Sequence, residues 1–442
     1  MATVKAVRGT RDLLPPETEL WNRIEATARQ VFARYHFGEI RTPIFEDTGL
    51  FARSVGEETD IVSKEMYTWD DPPKPKGAIA YPPSMILGGR GVQSLTLRPE
   101  NTAGVVRAYI EHKLGESGQL QKLYYIGPQF RRERPQKGRY RQFWQIGAEV
   151  IGPPSAGSES PLRDAEVLEM LATLLDELGI MGWTLELNSV GSAADRERYN
   201  DVLRAALAEV APKMCADCQR RAVTNPLRVL DCKVPEDQPI IDALPKITDS
   251  FDQESKDHFA AVTAALDAAG VAYKLNPRLV RGLDYYTRTT FEFTHGGLGA
   301  QNALLGGGRY DGLSEAIGGP KAPGIGFAMG LDRLVLTLQA TKADQKSAVR
   351  PALDAYIAPL GETLNAAALV LARELRRAGL SIELGDGSFR LKKSFEAADK
   401  VARRIVILGE DELRSGILTV KDFSSGVQSK VPRAELASFL AQ

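Results

Sequence analysis

Apolar residues recur at helical spacing between residues 20 and 35, which predicts an amphipathic helix near the start of the chain. Ser160 and Pro161 offer an N-cap and a first helical position, and the leucine-rich stripe that follows them stops at Gly179. This pattern predicts a second helix. A β-strand is predicted directly after it, at residues 183–187.

The pattern between residues 124 and 152 predicts a strand, a basic loop and a second strand. Side chains alternate along a strand, so the second strand has one face formed by Trp144, Ile146, Ala148 and Val150 and another formed by Phe143, Gln145, Gly147 and Glu149. The first face is predicted to be core. On the second, Gly147 leaves a gap between an amide and a carboxylate where a small ligand could lie against the backbone. A solvated polar face on an edge strand would explain the same pattern.

Changes in the pattern divide the chain into domains. Residues 1–340 are predicted to form one large domain, which a mainly helical segment at about 192–262 interrupts as an insertion. Residues 341–350 have Val349 as their only large apolar residue, which is typical of a linker. Residues 351–442 alternate strands and helices, which predicts a separate small α/β domain.

A further segment, residues 70–94, is rich in proline and contains the tetrad Gly-Gly-Arg-Gly. This composition prevents regular structure, so we expect a long loop. Loops of this length are usually functional or mobile. The sequence does not indicate what this one does.

Composition places the chain among soluble globular proteins. Of its 442 residues, 43% are hydrophobic and 26% are charged, and no stretch approaches the length of a membrane span. Residues 1–15 lack the apolar core of a secretory signal. We therefore expect a cytoplasmic protein.

The chain has only three cysteines, which is too few for a disulfide framework and fits a reducing compartment. Cys215 and Cys218 form a CxxC pair, and Cys232 follows further along. None of the four histidines has metal-ligand spacing near this pair, and the sequence identifies no fourth ligand. We therefore expect no metal site here, but a reduced structural or solvated cluster.

The formal net charge is −1, so any nucleic-acid binding must use a local patch. Residues 131–141 provide one, with six positive side chains against the single carboxylate of Glu133. Such a run can be a solvated hairpin tip, but the neighbouring Tyr140 and Phe143 favour RNA contact. Arg131, at the end of the first strand, could bind a phosphate on the same sheet face as Gln145.

The stretch from Phe130 to Phe143 closely resembles motif 2 of class II aminoacyl-tRNA synthetases, in the form found in the histidyl-tRNA synthetase family. Other segments resemble further motifs of that family, and they occur in the right order. Residues 41–43 resemble motif 1 at the dimer interface, and residues 97–104 resemble the amino-acid-binding turn. Residues 281–286 and 306–312 resemble two histidine-specific signatures, and residues 326–334 resemble motif 3. The resemblance covers nearly the whole chain from Arg8 onward.

The resemblance implies an α/β fold class. The catalytic domain would be α+β, with an antiparallel sheet flanked by helices and a helical insertion. A C-terminal mixed α/β anticodon-binding domain would follow. It also implies a homodimeric histidine–tRNA ligase that uses ATP and Mg²⁺. The enzyme would convert L-histidine to histidyl-adenylate, releasing pyrophosphate, and then transfer histidine to the 3′-terminal adenosine of tRNA(His).

Two other functional classes are alternatives for this sequence. A non-catalytic, histidine-sensing regulatory relative of a biosynthetic phosphoribosyltransferase is one alternative, although such relatives tend to lose motif residues and the C-terminal domain. A generic RNA-binding module is the other. It would not need the segments at 281–286 and 306–312.

Residue roles also follow from the resemblance. The histidine pocket would comprise Glu100, Asn101, Thr102, Gln145, Glu149, Tyr285, Tyr286 and Tyr310. The catalytic residues Arg131 and Arg281 would clamp the α-phosphate of ATP from two sides, and Arg139, Phe143 and Arg333 would contact the rest of the nucleotide.

Three positions depart from the family's usual residues. Asn101 replaces a common glycine, which we expect to be tolerated because asparagine adopts left-handed conformations readily. Trp144 and Asp332 stand where histidine and glutamate are more usual. We expect Trp144 to face the core and Asp332 to preserve the charge.

Overall fold

The computed structural model describes residues 3–56, 59–71, 93–136, 138–298, 302–340 and 353–441. The chain divides into two compact units, Met1–Lys346 and Ser347–Gln442. The linker expected at 341–350 lies outside the described residues. In the described ranges, no helix is long and apolar enough to cross a membrane.

The first unit contains ten α-helices and eleven strands within its described residues. They are α1 Glu17–Arg34, β1 Gly38–Glu39, β2 Phe45–Asp47, α2 Thr48–Val55, β3 Tyr67–Asp71, β4 Gln93–Leu97, α3 Thr102–Glu111, β5 Gln121–Phe130, β6 Gln142–Ile151, α4 Pro161–Glu177, β7 Trp183–Ser189, α5 Ala193–Val210, α6 Ala216–Thr224, α7 Gln238–Asp242, α8 Gln253–Ala269, β8 Tyr273–Leu275, β9 Thr287–His295, β10 Ala303–Arg309, α9 Leu313–Ala316, β11 Gly324–Gly330 and α10 Leu331–Ala340.

Eight strands form one large sheet in the order β1-β5-β6-β11-β10-β9-β7-β8. Its interior pairs are antiparallel, as predicted, whereas β1 and β8 pair in parallel with their neighbours at the two edges. Each edge strand follows a long helix, α1 or α8, which carries the chain back across the sheet. Strand β6 is interior, so the interpretation of its polar face as a solvated edge is wrong.

Helices α1, α4, α8 and α10 contribute to the core on one face of this sheet. The two helices predicted from periodicity are confirmed as α1 and α4. The Ser160 hydroxyl accepts a hydrogen bond from the Leu162 backbone N–H, and Gly179 has a φ of 76°, so the predicted start and stop signals act as expected. Strand β7 continues two residues beyond the predicted end.

A small three-stranded sheet, β2-β4-β3, corrects the prediction of a loop over residues 70–94. Asp70 and Asp71 belong to β3, and Gln93 and Ser94 belong to β4, which pairs with it antiparallel. The strand pairing supplies the backbone hydrogen bonds that a loop would leave to water. Residues 72–92 lie outside the described residues.

The insertion has a hydrophobic core of its own, built from residues between Val190 and Phe251. We expected it to extend to about residue 262. Helix α8, however, places Val262 and Leu266 in the core of the large sheet. Helical periodicity continues across this boundary, so it could not reveal where one core ends and the other begins.

The second unit is a mixed α/β domain, as predicted. Its elements are β12 Ala355–Pro359, α11 Asn365–Arg377, β13 Ile382–Leu384, α12 Leu391–Asp399, β14 Arg404–Leu408, α13 Glu410–Ser415, β15 Ile417–Asp422, β16 Gln428–Pro432 and α14 Leu436–Leu440. The sheet order is β13-β12-β14-β15-β16, with β12 parallel to both its neighbours and the remaining pairs antiparallel. Its core comes from alternating strand residues and one face of α11.

A buried ion pair joins β10 to α4 in the first unit. Arg309 is fully buried and donates from Nη2 to Asp164 Oδ1 at 2.5 Å, while its Nη1 donates to the Ser158 carbonyl at 2.9 Å. Thr289 donates a further hydrogen bond to the Asp164 carboxylate. These partners compensate the desolvation of both charges.

Arg309→Ala should destabilise the protein by about 3–5 kcal/mol, because it leaves the Asp164 carboxylate buried without its cation. Arg34→Ala is the matched control, since it breaks the exposed pair with Glu177 and should cost less than about 1 kcal/mol. Urea unfolding of the two variants measures both effects. Equal losses would contradict the role of the buried pair.

Candidate active site

Strand register brings polar and glycine positions together on the face of the large sheet opposite the α1 and α4 core. Tyr125 on β5 pairs with Gly147 on β6, and Glu149 on β6 pairs with Gly326 on β11. Gly306 on β10 pairs with Glu292 on β9. The residues that alternate with these, such as Ile146 and Phe291, lie in the core.

Glycines make room for the polar side chains on this face. A Cβ at Gly326 would lie 1.6 Å from Glu149 Oε2, and a Cβ at Gly306 would lie 2.4 Å from Arg281 Nη2. A Cβ at either position would force the neighbouring charged side chain to move. The glycines therefore let charged groups lie directly against the backbone.

A cavity of about 570 Å³ opens above this face. Ten of the residues predicted to form the site line it: Glu100, Thr102, Arg131, Arg139, Phe143, Gln145, Arg281, Tyr285, Tyr286 and Arg333. They come from segments spread over more than 230 positions of the sequence, which the fold brings together. The volume suits a small organic ligand of the size that enzyme pockets accept.

Three other predicted site residues do not line the cavity. Glu149 and Tyr310 lie beneath its floor, where Tyr310 OH donates to Glu149 Oε2 at 2.8 Å. Asn101 is buried and accepts a hydrogen bond from the Thr42 hydroxyl at 2.6 Å. Its φ is −121°, so the expectation that Asn101 uses a left-handed conformation is wrong.

The gap expected at Gly147 is filled from the neighbouring strand. A Cβ at Gly147 would lie 2.3 Å from the hydroxyl of Tyr125. The gap therefore accommodates a tyrosine ring rather than a ligand. Tyr125 was not predicted, because cross-strand pairing with Gly147 becomes known only from the register.

Two buried carboxyl groups lie at the base of the cavity. Glu149 accepts from the Thr102 hydroxyl at 2.7 Å, and burial raises its pKa to about 8. Glu100 accepts from the backbone N–H groups of Thr102 and Ala103 at 2.8 and 3.0 Å, which also caps helix α3. Burial raises the pKa of Glu100 as well. A positively charged or donating ligand group would satisfy these carboxyl groups.

Arginines line the cavity from two elements. Arg131 follows β5, donates from Nε to the Pro99 carbonyl at 2.9 Å, and lies over the ring of Phe143 at 5.2 Å. Arg281 precedes β9 and pairs with Glu292 at 2.5 Å. Each guanidinium is thus oriented by one or two contacts and keeps further donors for an anion.

Arg139 and Arg333 have different surroundings within the same cavity. Arg139 pairs with Glu133 at 3.1 Å and remains partly exposed, whereas Arg333 donates from Nη1 to the Ala303 carbonyl at 2.6 Å. Burial lowers the pKa of Arg333, and the nearby charge of Arg139 lowers it further. Two cations that line one cavity favour the binding of an anion there.

Glu292, Asp231 and Lys233 also line the cavity and were not predicted. Glu292 could have been found from the sequence, since it is a single charge between Phe291 and Phe293 in a strand pattern. Asp231 and Lys233 come from the insertion. No local pattern indicates that the insertion reaches the site.

The departures at positions 144 and 332 have structural explanations. Trp144 packs on the core and against the edge of Trp21, as expected. Asp332 accepts from Arg11 Nη2 at 2.8 Å, and that guanidinium also lies 4.9 Å from the ring of Tyr140. Asp332 therefore anchors the N-terminal segment beside the basic loop.

Part of the basic loop is engaged within the protein. Arg132 lies over the ring of Tyr67, and Arg141 Nη1 donates to the carbonyl of Arg8 at 3.2 Å. Arg139 has its pair with Glu133. Lys137 lies outside the described residues. The described residues of the loop therefore pack on the protein and contribute to the cavity rim rather than forming only a solvated tip.

Comparison with known proteins identifies the family. The model of the histidyl-tRNA synthetase family matches residues 89–334, and that of the anticodon-binding domain matches residues 354–442. The histidine–tRNA ligase of Koribacter versatilis (strain Ellin345) is 68% identical over 438 residues, covering 99% of this chain and 96% of its own. The chain belongs to the histidyl-tRNA synthetase family. The family resemblance of the motifs is thereby confirmed.

Further relatives agree with this assignment. The histidine–tRNA ligase of Solibacter usitatus (strain Ellin6076) is 54% identical over 439 residues, 99% of each chain. The crystal structure of apo S. aureus histidyl-tRNA synthetase covers 100% of both chains with a TM-score of 0.79 and 36% identity. An ATP phosphoribosyltransferase regulatory subunit/histidyl-tRNA synthetase from Bacillus halodurans C covers 92% of this chain and 99% of its own. Its TM-score is 0.63 and its identity is 18%, so it shares the fold.

The raised pKa of Glu149 gives stability a dependence on pH. An unfolded glutamate has a pKa near 4.3, whereas burial raises the pKa of Glu149 to about 8 in the folded protein. The contribution of Glu149 to the free energy of unfolding is therefore largest below about pH 4.3 and is lost as the pH rises towards 8. Glu149→Gln cannot titrate. The unfolding free energy of wild type minus that of Glu149→Gln should fall by up to about 1.4 kcal/mol per pH unit between about pH 5 and 8. Urea unfolding without ligands measures it, and a pH-independent difference would contradict the shifted pKa.

Proposed function

We propose that the chain is a histidine–tRNA ligase that forms histidyl-adenylate in the cavity and then transfers histidine to tRNA(His). The observation that carries this proposal is the placement of Arg131 and Arg281 in one cavity with Glu100, Thr102 and Gln145. Groups suited to bind phosphate and groups suited to bind an amino acid therefore face the same space. Carboxylate activation by ATP requires this arrangement.

Histidine would bind at the base of the cavity. Its ammonium group suits Glu100, whose carboxylate is already held by two backbone N–H groups and retains lone pairs for a further donor. Gln145 Oε1 is buried and has no hydrogen-bond partner among the described residues, which supports a ligand donor there. Glu149 would act on the ligand through its hydrogen bond with the Thr102 hydroxyl. It would accept a hydrogen bond directly from the imidazole if the residues at the base of the cavity moved aside.

ATP would bind between Arg131 and Arg281, with the adenine ring near Phe143. A histidine carboxylate oxygen attacks the α-phosphorus, a new C–O–P linkage forms, and the bond to the β-phosphate oxygen breaks to release pyrophosphate. Negative charge moves onto the leaving group as this bond breaks. Arginine donors fixed beforehand stabilise that charge without having to reorganise during the reaction.

Mg²⁺ is part of the proposal. The cavity is lined by the carboxylates of Glu133 and Glu292, which are oxygen donors of the type this ion prefers alongside phosphates. These two residues would hold Mg²⁺, which would neutralise phosphate charge. Their pairs with Arg139 and Arg281 keep both carboxylates at the nucleotide side of the cavity.

In the second step, a hydroxyl of the 3′-terminal ribose of tRNA(His) attacks the histidyl carbonyl and AMP leaves. The basic loop at 131–141 lies at the rim and would meet the acceptor end. The domain at 351–442 would bind the anticodon. Around helix α12, the side chains of Arg390, Lys392, Lys393, Lys400 and Arg403 are all exposed, which supports phosphate contacts there.

The proposed assembly is a homodimer. Large apolar side chains are exposed beside the motif 1 segment, with Ile44 at 44%, Phe45 at 53% and Trp69 at 41% relative exposure. The rings of Phe45 and Trp69 lie 6.1 Å apart on the small sheet. An apolar patch of this kind is typical of a protein interface.

A regulatory, non-catalytic relative is not favoured. Arg131, Arg281 and Arg333 all line the cavity. The curated relatives that match nearly the full chain carry the name of the ligase. A histidine sensor would need neither the arginines nor the C-terminal domain.

Histidine-dependent exchange of pyrophosphate into ATP tests the first step. Arg281→Ala should lower the kcat of exchange by at least about 10²-fold and change the histidine KM much less, because the guanidinium acts mainly on charge that develops in the transition state. Arg204→Ala on the exposed face of α5 is the control and should retain activity. Absence of histidine-dependent exchange in the wild type would refute the proposed function.

Removing residues 347–442 should separate the two steps, since the described residues that line the cavity all belong to the first unit. The truncated protein should retain histidine activation but charge tRNA far more slowly, because phosphate and anticodon contacts outside the active site are lost. Circular dichroism and the mass in solution must first show that it is folded and has the same assembly state. Charging at the full-length rate would show that the C-terminal domain has another role.

A further inference from the structure

A second cluster of reactive side chains lies in the insertion, outside the cavity. It consists of Cys215, Cys218, Cys232 and Asp237, whose ligand atoms all lie within 4.8 Å of one another. Cys215 Sγ and Cys232 Sγ are 3.9 Å apart, and Cys232 Sγ is 3.3 Å from Asp237 Oδ2. Around a tetrahedral zinc ion with bonds of about 2.0–2.3 Å, neighbouring ligand atoms lie about 3.5–3.8 Å apart. The four groups are thus already close to that arrangement.

We propose that Cys215, Cys218, Cys232 and Asp237 bind one structural zinc ion. Three sulfur ligands favour zinc over the harder magnesium and calcium ions. Four protein ligands close the tetrahedron and leave no position for substrate, as in structural sites. The sequence alone did not identify Asp237 because its place beside the cysteines depends on the fold of the insertion.

The local backbone supports the ligand positions. Cys215 is the residue before helix α6 and Cys218 lies in its first turn, so both thiols are presented from the same end of the helix. Cys218, Cys232 and Asp237 are buried. The Cys215 N–H donates to Asp237 at 3.2 Å, and the Val234 N–H donates to Cys232 Sγ at 3.4 Å. Contacts of this kind orient metal ligands.

A disulfide is the competing chemistry. A sulfur–sulfur bond is about 2.05 Å long, so the 3.9 Å between Cys215 and Cys232 would have to close by nearly half. One of the three cysteines would also remain unpaired beside the Asp237 carboxylate. Zinc uses all four groups at nearly their present separations.

The zinc site would hold one wall of the cavity. Asp231 and Lys233, the neighbours of Cys232, both line the cavity. Arg228 Nη1, in the segment between α6 and Cys232, donates to the Arg281 carbonyl at 3.2 Å. The zinc would tie this segment to the start of α6. Its loss should loosen a wall that contacts the backbone of Arg281.

Metal content of the full-length protein tests the proposal without using activity. Protein purified in the presence of zinc under reducing conditions, then dialysed, should contain about one zinc ion per chain by mass spectrometry. Asp237→Asn and Cys218→Ser should both lose most of it. Asp217→Asn is the matched control, because this exposed carboxylate lies between the two cysteines of the CxxC pair and should leave the zinc content unchanged.

Cobalt substitution provides a second readout. Co²⁺ bound by three thiolates should give intense sulfur-to-metal absorption, which Asp217→Asn retains and Asp237→Asn alters. Asp237→Asn keeps the size of the side chain, so its result is informative even where Cys218→Ser does not fold. Wild-type protein that binds neither Zn²⁺ nor Co²⁺ after full reduction would overturn the proposal. So would full zinc content in Asp237→Asn, or a Cys215–Cys232 disulfide in the purified protein.

Discussion

The cavity of the candidate active site depends on the absence of side chains from one face of the central sheet. Gly306 and Gly326 occupy positions where a Cβ would collide with Arg281 or Glu149. Gly147 leaves space for Tyr125 in the same way. An ordinary strand face would fill this volume with side chains, so the charged groups could not lie against the backbone. The opposite face has normal apolar packing against helices, which holds the strands in place.

The space left by these glycines allows acidic and basic side chains to lie at two levels of burial in the cavity. Glu149 and Glu100 are buried at the base, where burial raises the pKa of both. Arg131 and Arg281 line the same cavity and are more exposed than these carboxyl groups, and each is oriented by a neighbouring carbonyl or carboxylate. An amino acid that enters with its ammonium group towards the base therefore presents its carboxylate to the arginines. That orientation is the one required for attack on a phosphate.

Sequence reasoning predicted the parts of this arrangement that follow from local periodicity and motifs. Alternation along β6 separated Trp144 on the core side from Gln145 on the cavity side, and the structure confirms both. It could not predict cross-strand effects, so Tyr125 in the gap at Gly147 was missed. The backbone conformation of Asn101 and the position of Lys233 in the cavity lining likewise depend on tertiary contacts. Such contacts between distant segments leave no local pattern.

The most direct test of the central claim is the histidine-dependent ATP–pyrophosphate exchange rate of Gly306→Ala. The added methyl should push the Arg281 guanidinium from its place and lower kcat by more than about tenfold, with little change in the urea midpoint. Gly38→Ala is the control, because a Cβ there meets no atom within 4 Å in the described part of the chain and the residue lies outside the family motifs. Exchange by Gly306→Ala at the rate of Gly38→Ala would contradict the claim that glycine clearance positions Arg281.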